Sequence, residues 1–464
     1  MPMKQRLESL DALRGFAILT MVLSGSIAFG GVLPGWMYHA QVPPPTHAFD
    51  PTCPGITWVD LVFPFFLFSM GAAFPLVLHQ PLSSPTFFNL LRTAFRRFGL
   101  LLFFALFSQH FKSWVLSNSP GWIHQVQSIF AFLILFIVLY SWKEIASVRL
   151  RNGIRLVALL AAIGWMCLGT YSNGKSFDPY RSDIIIVVLA NMAFFGTIIY
   201  GLTQNRPWVR VAILPIIMAI FFASKQEGWA KQLFYFDSIG PIKTDWAYKF
   251  YFLKYLFIVI PGMFAGECLI RLREESSELE NSFRWMGWLG LSLIGWNLYG
   301  LYTRQLDLNL AGSIVLLLFM YSIVRRSSTS TLHTLFMAGA YLLLLGLSFE
   351  AFEGGIKKDP SNYSYYFVCS GLAFMALIVL ESWKYDRLLR FPLRYLSLQG
   401  QNPMVAYVAG SLLLLPLMTL TGLKPYWDGM HQNAWMGFAK GALFTGTVSL
   451  VTYFFVKRRW FWRT

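Results

Sequence analysis

The chain has 464 residues, of which 56% are hydrophobic and 17% aromatic but only 13% charged, about half the charge of a soluble domain. That composition excludes a large soluble domain. The net charge of +16 is read as loop charge on a membrane protein, because Lys and Arg cluster in short loops between apolar runs. A nucleic-acid partner is excluded, since no zinc-finger, RNA-binding or helix-turn-helix signature accompanies the charge.

Apolar runs of roughly the 17 to 25 residues that cross a bilayer as helix recur from end to end. Spans are expected at about 12–31, 57–78, 98–111, 123–140, 156–171, 184–202 and 211–223. They continue at about 250–270, 285–302, 308–324, 332–352, 365–383, 403–420 and 435–456. The polar segment 225–249 and the charged stretch R-L-R-E-E-S-S-E-L-E after the eighth span are expected outside the bilayer, as are the loop with Pro81 and Pro85 and the Lys143–Glu144 pair. The fold class is therefore all-α, a polytopic membrane helical bundle of about fourteen transmembrane helices, with twelve as the fallback. No long polar linker divides residues 1–464, so one transmembrane body is expected.

With the N-terminus in the cytoplasm, most of the 38 Lys and Arg fall on the inner side, as the positive-inside rule requires. Both termini are then cytoplasmic, and the loop after the first span faces out. The basic, then apolar, N-terminus lacks a small-residue cleavage site and is read as a retained helix. No CxxC pair joins Cys53, Cys167, Cys268 and Cys369, so neither a metal site nor a disulfide framework is expected. The sets G71-A72-A73 and G262-x-x-x-G266 suit close helix packing.

Ionisable groups at membrane depth are expensive and point to function. They concentrate around residues 6–71, where two apolar spans flank a loop carrying Trp36, His39, His47 and Asp50. His39, in P-G-W-M-Y-H-A, can trade a proton near neutrality or accept an acyl group; alternatively it is an interfacial histidine beside Trp36 and Tyr38. Asp60 either orients a histidine or serves as a first-turn acid at a helix start. Asp11 and Arg14 either pair on one helix face or hold a phosphate-bearing donor. His124, Gln125 and Gln127 open the fourth span, and Glu267, Glu350 and Glu353 end others; each lines a polar cavity or caps a helix. Asn402, in L-Q-G-Q-N-P-M-V-A-Y, is a cofactor contact or a cap. Asp428 and His431, in W-D-G-M-H-Q-N, share the outer side with His39. No nucleotide-binding glycine fingerprint and no G-x-S-x-G elbow is present.

Several motifs carry a resemblance: R-L-x-S-L-D-A-L-R-G-F, His39, W-V-D-L-V-F-P-F-F-L-F-x-M-G, H-Q-V-Q-S-I-F, G-M-F-A-G-E, G-Q-N-P-M-V-A-Y and the tail K-R-R-W-F-W. Together they resemble the membrane acyltransferases related to heparan-alpha-glucosaminide N-acetyltransferase, whose bacterial members include NagX-like and DUF5009 proteins. The resemblance implies transfer of an acyl group, acetyl by preference, from cytoplasmic acetyl-CoA to a sugar amine or hydroxyl on the outer face of a bacterial inner membrane. It places the active-site histidine on His39, its aspartate on Asp60 and its late asparagine on Asn402. The donor's phosphates would fall to Arg14, Arg92, Arg96 and Arg97, with Gln125 nearby, because guanidinium matches phosphate geometry. Trp36, His47, Asp50, Asp428 and His431 would face the saccharide acceptor. The chain departs from the family where V-P-P-P-T-H-A-F-D-P-T-C-P expands the loop after His39, where Ser24 replaces an asparagine and where Ser128 replaces an arginine. A transporter or permease without acyl transfer is the competing reading, since many helices with polar groups inside suit it too; the lack of an internal repeat disfavours it. Membrane lipid surrounds the bundle, and a homodimer is the oligomer expected from frequency alone.

Overall fold

In hydrocarbon every backbone polar group must find its partner within its own segment or a closed sheet, and the apolar runs of this chain become helices. The computed structural model describes residues 6–78, 87–142, 145, 147–275, 282–326 and 330–463. The Pro81–Pro85 loop, the Lys143–Glu144 pair and the stretch 276–281 lie outside the described residues.

The chain begins with α1 (Glu8–Ser26), α2 (Trp58–Leu78), α3 (Phe87–His110) and the single turn α4 (Ser113–Leu116). It continues with α5 (Trp122–Leu139), α6 (Val148–Leu168), α7 (Ile184–Thr203), α8 (Pro207–Ala223) and the short α9 (Trp229–Phe234). Next come α10 (Leu256–Glu275), entered through a 3₁₀ turn, then α11 (Ser282–Thr303), α12 (Leu306–Val324), α13 (Ser330–Glu353) and α14 (Tyr363–Ser382). The last stretch holds α15 (Arg390–Gly400), α16 (Pro403–Val408), α17 (Leu415–Leu420), α18 (Lys424–Asp428) and α19 (Ala434–Lys457). A π-helical segment at Ala409–Leu414 joins α16 to α17.

Every expected span lies wholly or mainly on helix. Among the described residues, ten helices are long and apolar enough to cross a membrane, and α8 is apolar but shorter. The helices α1, α3 and α11 match three further expected spans but are more polar: α1 carries Glu8, Asp11 and Arg14, and α3 carries Arg92, Arg96 and Arg97. One local expectation changes. The first helix stops at Ser26 rather than running to residue 31, because Ile27 takes extended backbone (φ −65°, ψ 162°), and Gly30 and Gly31 then carry the loop away with positive φ angles of 89° and 81°. The polar segment 225–249 holds α9 and a small hairpin in which Ser238 pairs with Lys243 and Ile239 with Ile242.

The bundle is built around α14, every residue of which is buried. α14 packs against α13, α11, α10 and α2. The small residues act where two backbones meet. A Cβ added at Gly262 would strike the Phe68 carbonyl, one at Gly266 the Ala72 carbonyl, and one at Gly71 the Val259 carbonyl. α2 and α10 are thus in backbone contact along the small-residue stripe, where dispersion rather than hydrophobic exclusion drives association. Gly15 and Gly400 make the same kind of contact between α1 and α15. Phe74 reaches Gly196 and Leu90 reaches Gly201, which sets the far end of α2 beside the start of α3. The end of α3 and the loops that follow it therefore return to the end of the bundle where α2 begins.

Candidate active site

Thr57 starts the construction. Its hydroxyl accepts the Val59 N–H (3.2 Å) and donates to the Tyr38 carbonyl (2.6 Å). Three residues on, Asp60 Oδ2 accepts the Thr57 N–H at 3.0 Å and the Thr57 hydroxyl at 3.3 Å. Thr57 caps Val59 while Asp60 reaches back to the Thr57 N–H, a variant of the capping arrangement that fixes Asp60 in the first turn of α2. The same Oδ2 also accepts the Ala40 N–H at 3.1 Å. The other oxygen, Oδ1, stands 2.6 Å from His39 Nδ1. The helix-cap and histidine-orienting readings of Asp60 are thus served by different oxygens of one carboxylate.

The burial of the pair is unequal. The Asp60 side chain is 2% exposed and that of His39 38%. A carboxylate only accepts, so Nδ1 carries a proton toward Asp60, and in the neutral ring the lone pair falls on Nε2. A cation completes the cluster: Lys358 Nζ lies 3.2 Å from Nδ1, 3.4 Å from Nε2 and 4.0 Å from Asp60 Oδ1. Behind Asp60, the Tyr365 hydroxyl of α14 donates to the Asp60 carbonyl at 2.8 Å.

Lys358 is carried by the loop between α13 and α14, and that loop is clamped. The Gln41 amide donates to the Asp359 carbonyl (2.6 Å) and accepts the Asp359 N–H (2.8 Å). Gly55 N–H reaches the Ile356 carbonyl at 2.8 Å. Glu353 caps the start of α14 through the Tyr363 and Ser364 N–H groups at 2.9 and 2.8 Å. Glu350 pairs with Arg304 at 2.5 Å. Asp359, outside the spans, has its carboxyl pushed up from the usual range by burial, against the pull of Lys358 and His39. The two loops form one rigid platform that presents His39, Asp60 and Lys358 together. Sequence reasoning did not single out Lys358; the signal that could have found it is the Lys357–Lys358 pair in the short loop between two apolar runs.

The remaining candidates fall elsewhere. His47 braces the same loop: its Nε2 accepts the Gly30 N–H at 2.9 Å, and its ring packs on Tyr38 at 4.4 Å. Asp50 Oδ1 accepts the Thr52 N–H and hydroxyl at 2.8 and 2.6 Å, which hold its carboxyl below the usual range. Trp36 is exposed. Asp428 pairs with Lys424 at 2.5 Å and accepts His431 Nδ1 on its carbonyl at 2.8 Å; this loop makes no contact with His39 among the described residues.

At the opposite end, Arg14 joins three helices: it binds Asp11 at 3.2 Å and the Gly400 and Ser69 carbonyls at 3.4 Å each. Arg92 and Arg96 are exposed on α3, while Arg97 is half-buried and reaches Thr197 at 3.4 Å. Gln125 is buried, with its Oε1 lacking a hydrogen-bond partner among the described residues. Asn402 is fully buried and ties down the C-terminal tail, donating to the Trp460 carbonyl (2.8 Å) and accepting the Trp462 N–H (3.1 Å). Ser128 donates to the Phe111 carbonyl at 2.7 Å, and Ser24 to the Met21 carbonyl at 2.9 Å. Glu267 pairs with buried Arg210 at 2.9 Å. No cluster of metal-ligating side chains occurs among the described residues.

The arrangement is a histidine with Nδ1 anchored on a buried carboxylate, a tautomer that leaves the lone pair on Nε2 in the neutral ring, and Lys358 beside it. Such a group can remove a proton from an attacking amine or hydroxyl and return it to a leaving group. The family model described as "Domain of unknown function (DUF5009)" matches residues 6–269, more than half of the chain and the part containing His39 and Asp60. No curated protein matches the chain.

Proposed function

This chain belongs to the DUF5009 family, and on that premise we propose that it is a membrane acyltransferase. It moves an acyl group, acetyl by preference, from a coenzyme A thioester on the cytoplasmic side to a sugar amine or hydroxyl on the outer face. The observation that carries the reading is the 2.6 Å pairing of half-exposed His39 with buried Asp60. A surface histidine without a task does not need a carboxylate desolvated behind it.

In the proposed step, His39 Nε2 takes the proton of the acceptor amine or hydroxyl as it attacks the thioester carbon. Asp60 holds the ring in the tautomer that leaves Nε2 free and steadies the imidazolium that forms. The Lys358 ammonium neutralises the negative charge that builds on the carbonyl oxygen. Collapse of the tetrahedral intermediate breaks the carbon–sulfur bond, and the imidazolium returns the proton to the departing thiolate. Direct attack is preferred to an acyl-imidazole, because holding both substrates in one cavity already supplies the advantage of proximity.

On the cytoplasmic side, the Arg14 N–H groups point at backbone carbonyls and Arg97 is half-buried. Arg92 and Arg96, exposed on α3, are therefore the guanidinium groups offered to the donor's phosphates. The test is acetyl-coenzyme A turnover by the purified protein across amino and neutral sugars, with H39A alongside. Release of free thiol coupled to an acetylated sugar, and lost in H39A, supports the enzyme. Protein-dependent sugar flux without thiol release would replace it with a permease.

A further inference from the structure

Two adjoining cavities lie away from His39, at the end of the bundle to which the loops after α3 return. The first, of about 850 Å³, is walled by the loop after α4, the start of α5 and the end of α6. Its lining includes Asn118, His124, Gln127, Trp165, Thr170 and Asn173. The second, of about 550 Å³, continues between α5 and α6 and is lined by Ile123, Val126, Phe130 and Ile134. Gln127 and Trp165 line both. The pair thus forms one cleft, polar toward the loops and apolar along the helices. It opens through α6, one of the least buried of the long apolar helices.

The polar half is neutral. Among the described residues, no Lys, Arg, Asp or Glu lines either cavity, although the chain carries a net charge of +16. What it offers is hydrogen-bonding capacity. The Asn118 amide donates to Asn173 Oδ1, which leaves the Asn118 carbonyl and the Asn173 amide N–H groups for another partner. His124 Nδ1 accepts the Gly121 N–H at 3.1 Å, so Nε2 carries the proton and is a donor. The Gln127 amide has no hydrogen-bond partner among the described residues. The indole of Trp165, packed 4.1 Å from the Phe111 ring, supplies a flat apolar wall. Amides, hydroxyls and an aromatic face suit a polyhydroxylated, uncharged headgroup; the lining itself offers a phosphate no charged partner, and the Arg181 guanidinium lies outside it, over the Tyr171 ring at 6.0 Å. The apolar half suits a hydrocarbon chain.

We propose that this cleft binds a neutral glycolipid, with the sugar among Asn118, His124, Gln127 and Asn173 and the chain between α5 and α6. The proposal does not rest on acyl transfer at His39, since no residue lining the cleft contacts His39, Asp60 or Lys358 among the described residues.

The test is native mass spectrometry of the full chain in detergent with equimolar galactosyl-diacylglycerol, phosphatidylglycerol and diacylglycerol of identical chains. The galactolipid should be retained at least tenfold over the other two. Gly164 lines the first cavity, and a Cβ added there meets nothing within 4 Å. G164L therefore fills the cavity while improving helix propensity, and it should cut galactolipid retention at least tenfold with thermal stability unchanged or raised. N118L/Q127L should do the same through the headgroup alone. Retention of phosphatidylglycerol equal to the galactolipid, unchanged retention in G164L, or displacement of the galactolipid by equimolar free galactose would each overturn the assignment.

Discussion

Replacing Asp60 by Asn separates the two jobs of its carboxylate. Oδ2 serves the Ala40 and Thr57 N–H groups, with the Thr57 hydroxyl alongside at 3.3 Å, while Oδ1 faces His39, with Lys358 at 4.0 Å. In D60N the amide oxygen can keep both N–H donors, so the cap and the loop survive. The amide NH₂ then faces His39 Nδ1, which must turn from donor into acceptor. The imidazole proton moves to Nε2, the nitrogen that has to receive the acceptor's proton. A wrong tautomer of this kind costs a comparable carboxylate–histidine pair about 10⁴-fold in turnover, roughly 5 kcal/mol of transition-state stabilisation. Thermal stability should fall by no more than about 1 kcal/mol, because the cap is retained. D60A, by contrast, strands two buried N–H groups at about 1–3 kcal/mol each and should lose both stability and turnover. The assay is free-thiol release from acetyl-coenzyme A in the presence of an accepted sugar, with detergent melting curves in parallel. A D60N protein that turns over within threefold of wild type would refute the tautomer argument and demote Asp60 to a helix cap.

Four further outcomes are expected. H39A should lower thiol release to background and destabilise by about 1–3 kcal/mol, the cost of leaving the buried Asp60 Oδ1 without its hydrogen bond; a fully active H39A would remove His39 from catalysis. K358M should reduce turnover by about 10²-fold, in the range of losing one oxyanion donor, with K358R recovering part of it; equal loss in both would point to packing rather than charge. G262L forces bulk between α2 and α10 where backbones touch and should destabilise by at least about 1–3 kcal/mol; an unchanged melting temperature would contradict the contact. Cys53, half-buried in the loop after α1, should react with a membrane-impermeant thiol reagent from outside intact cells, and labelling only after permeabilisation would reverse the orientation.

How much was legible in advance depended on the range of the interaction. Span positions were readable because hydropathy over about 20 residues is a local sum, and the chain's runs became helices with few shifts. The small residues at Gly71, Gly262 and Gly266 were also legible as packing surfaces, since only such residues let helix axes approach. Ambiguity persisted wherever one side chain had two competing uses. Arg14 was readable as the structural partner of Asp11, with a phosphate as the alternative, and only the approach of α15 and α2 brought the Gly400 and Ser69 carbonyls within its reach. Asn402 was open between a cofactor contact and a cap, and only the folding back of the tail brought partners to both ends of its amide.

By itself, then, the sequence determined a polytopic helical membrane protein, the location of its polar loops and the histidine and aspartate most worth testing. These follow from composition, periodicity and residue type, which no tertiary arrangement alters. The tertiary structure alone decided that Lys358, distant in sequence from His39, sits against its ring. It also decided that His47 braces the loop carrying His39, that Asp428 pairs with Lys424, and that a cleft opens between α5 and α6. Each of these depends on which loops meet at one end of the bundle. That is settled by helix packing over the whole chain and leaves no local trace.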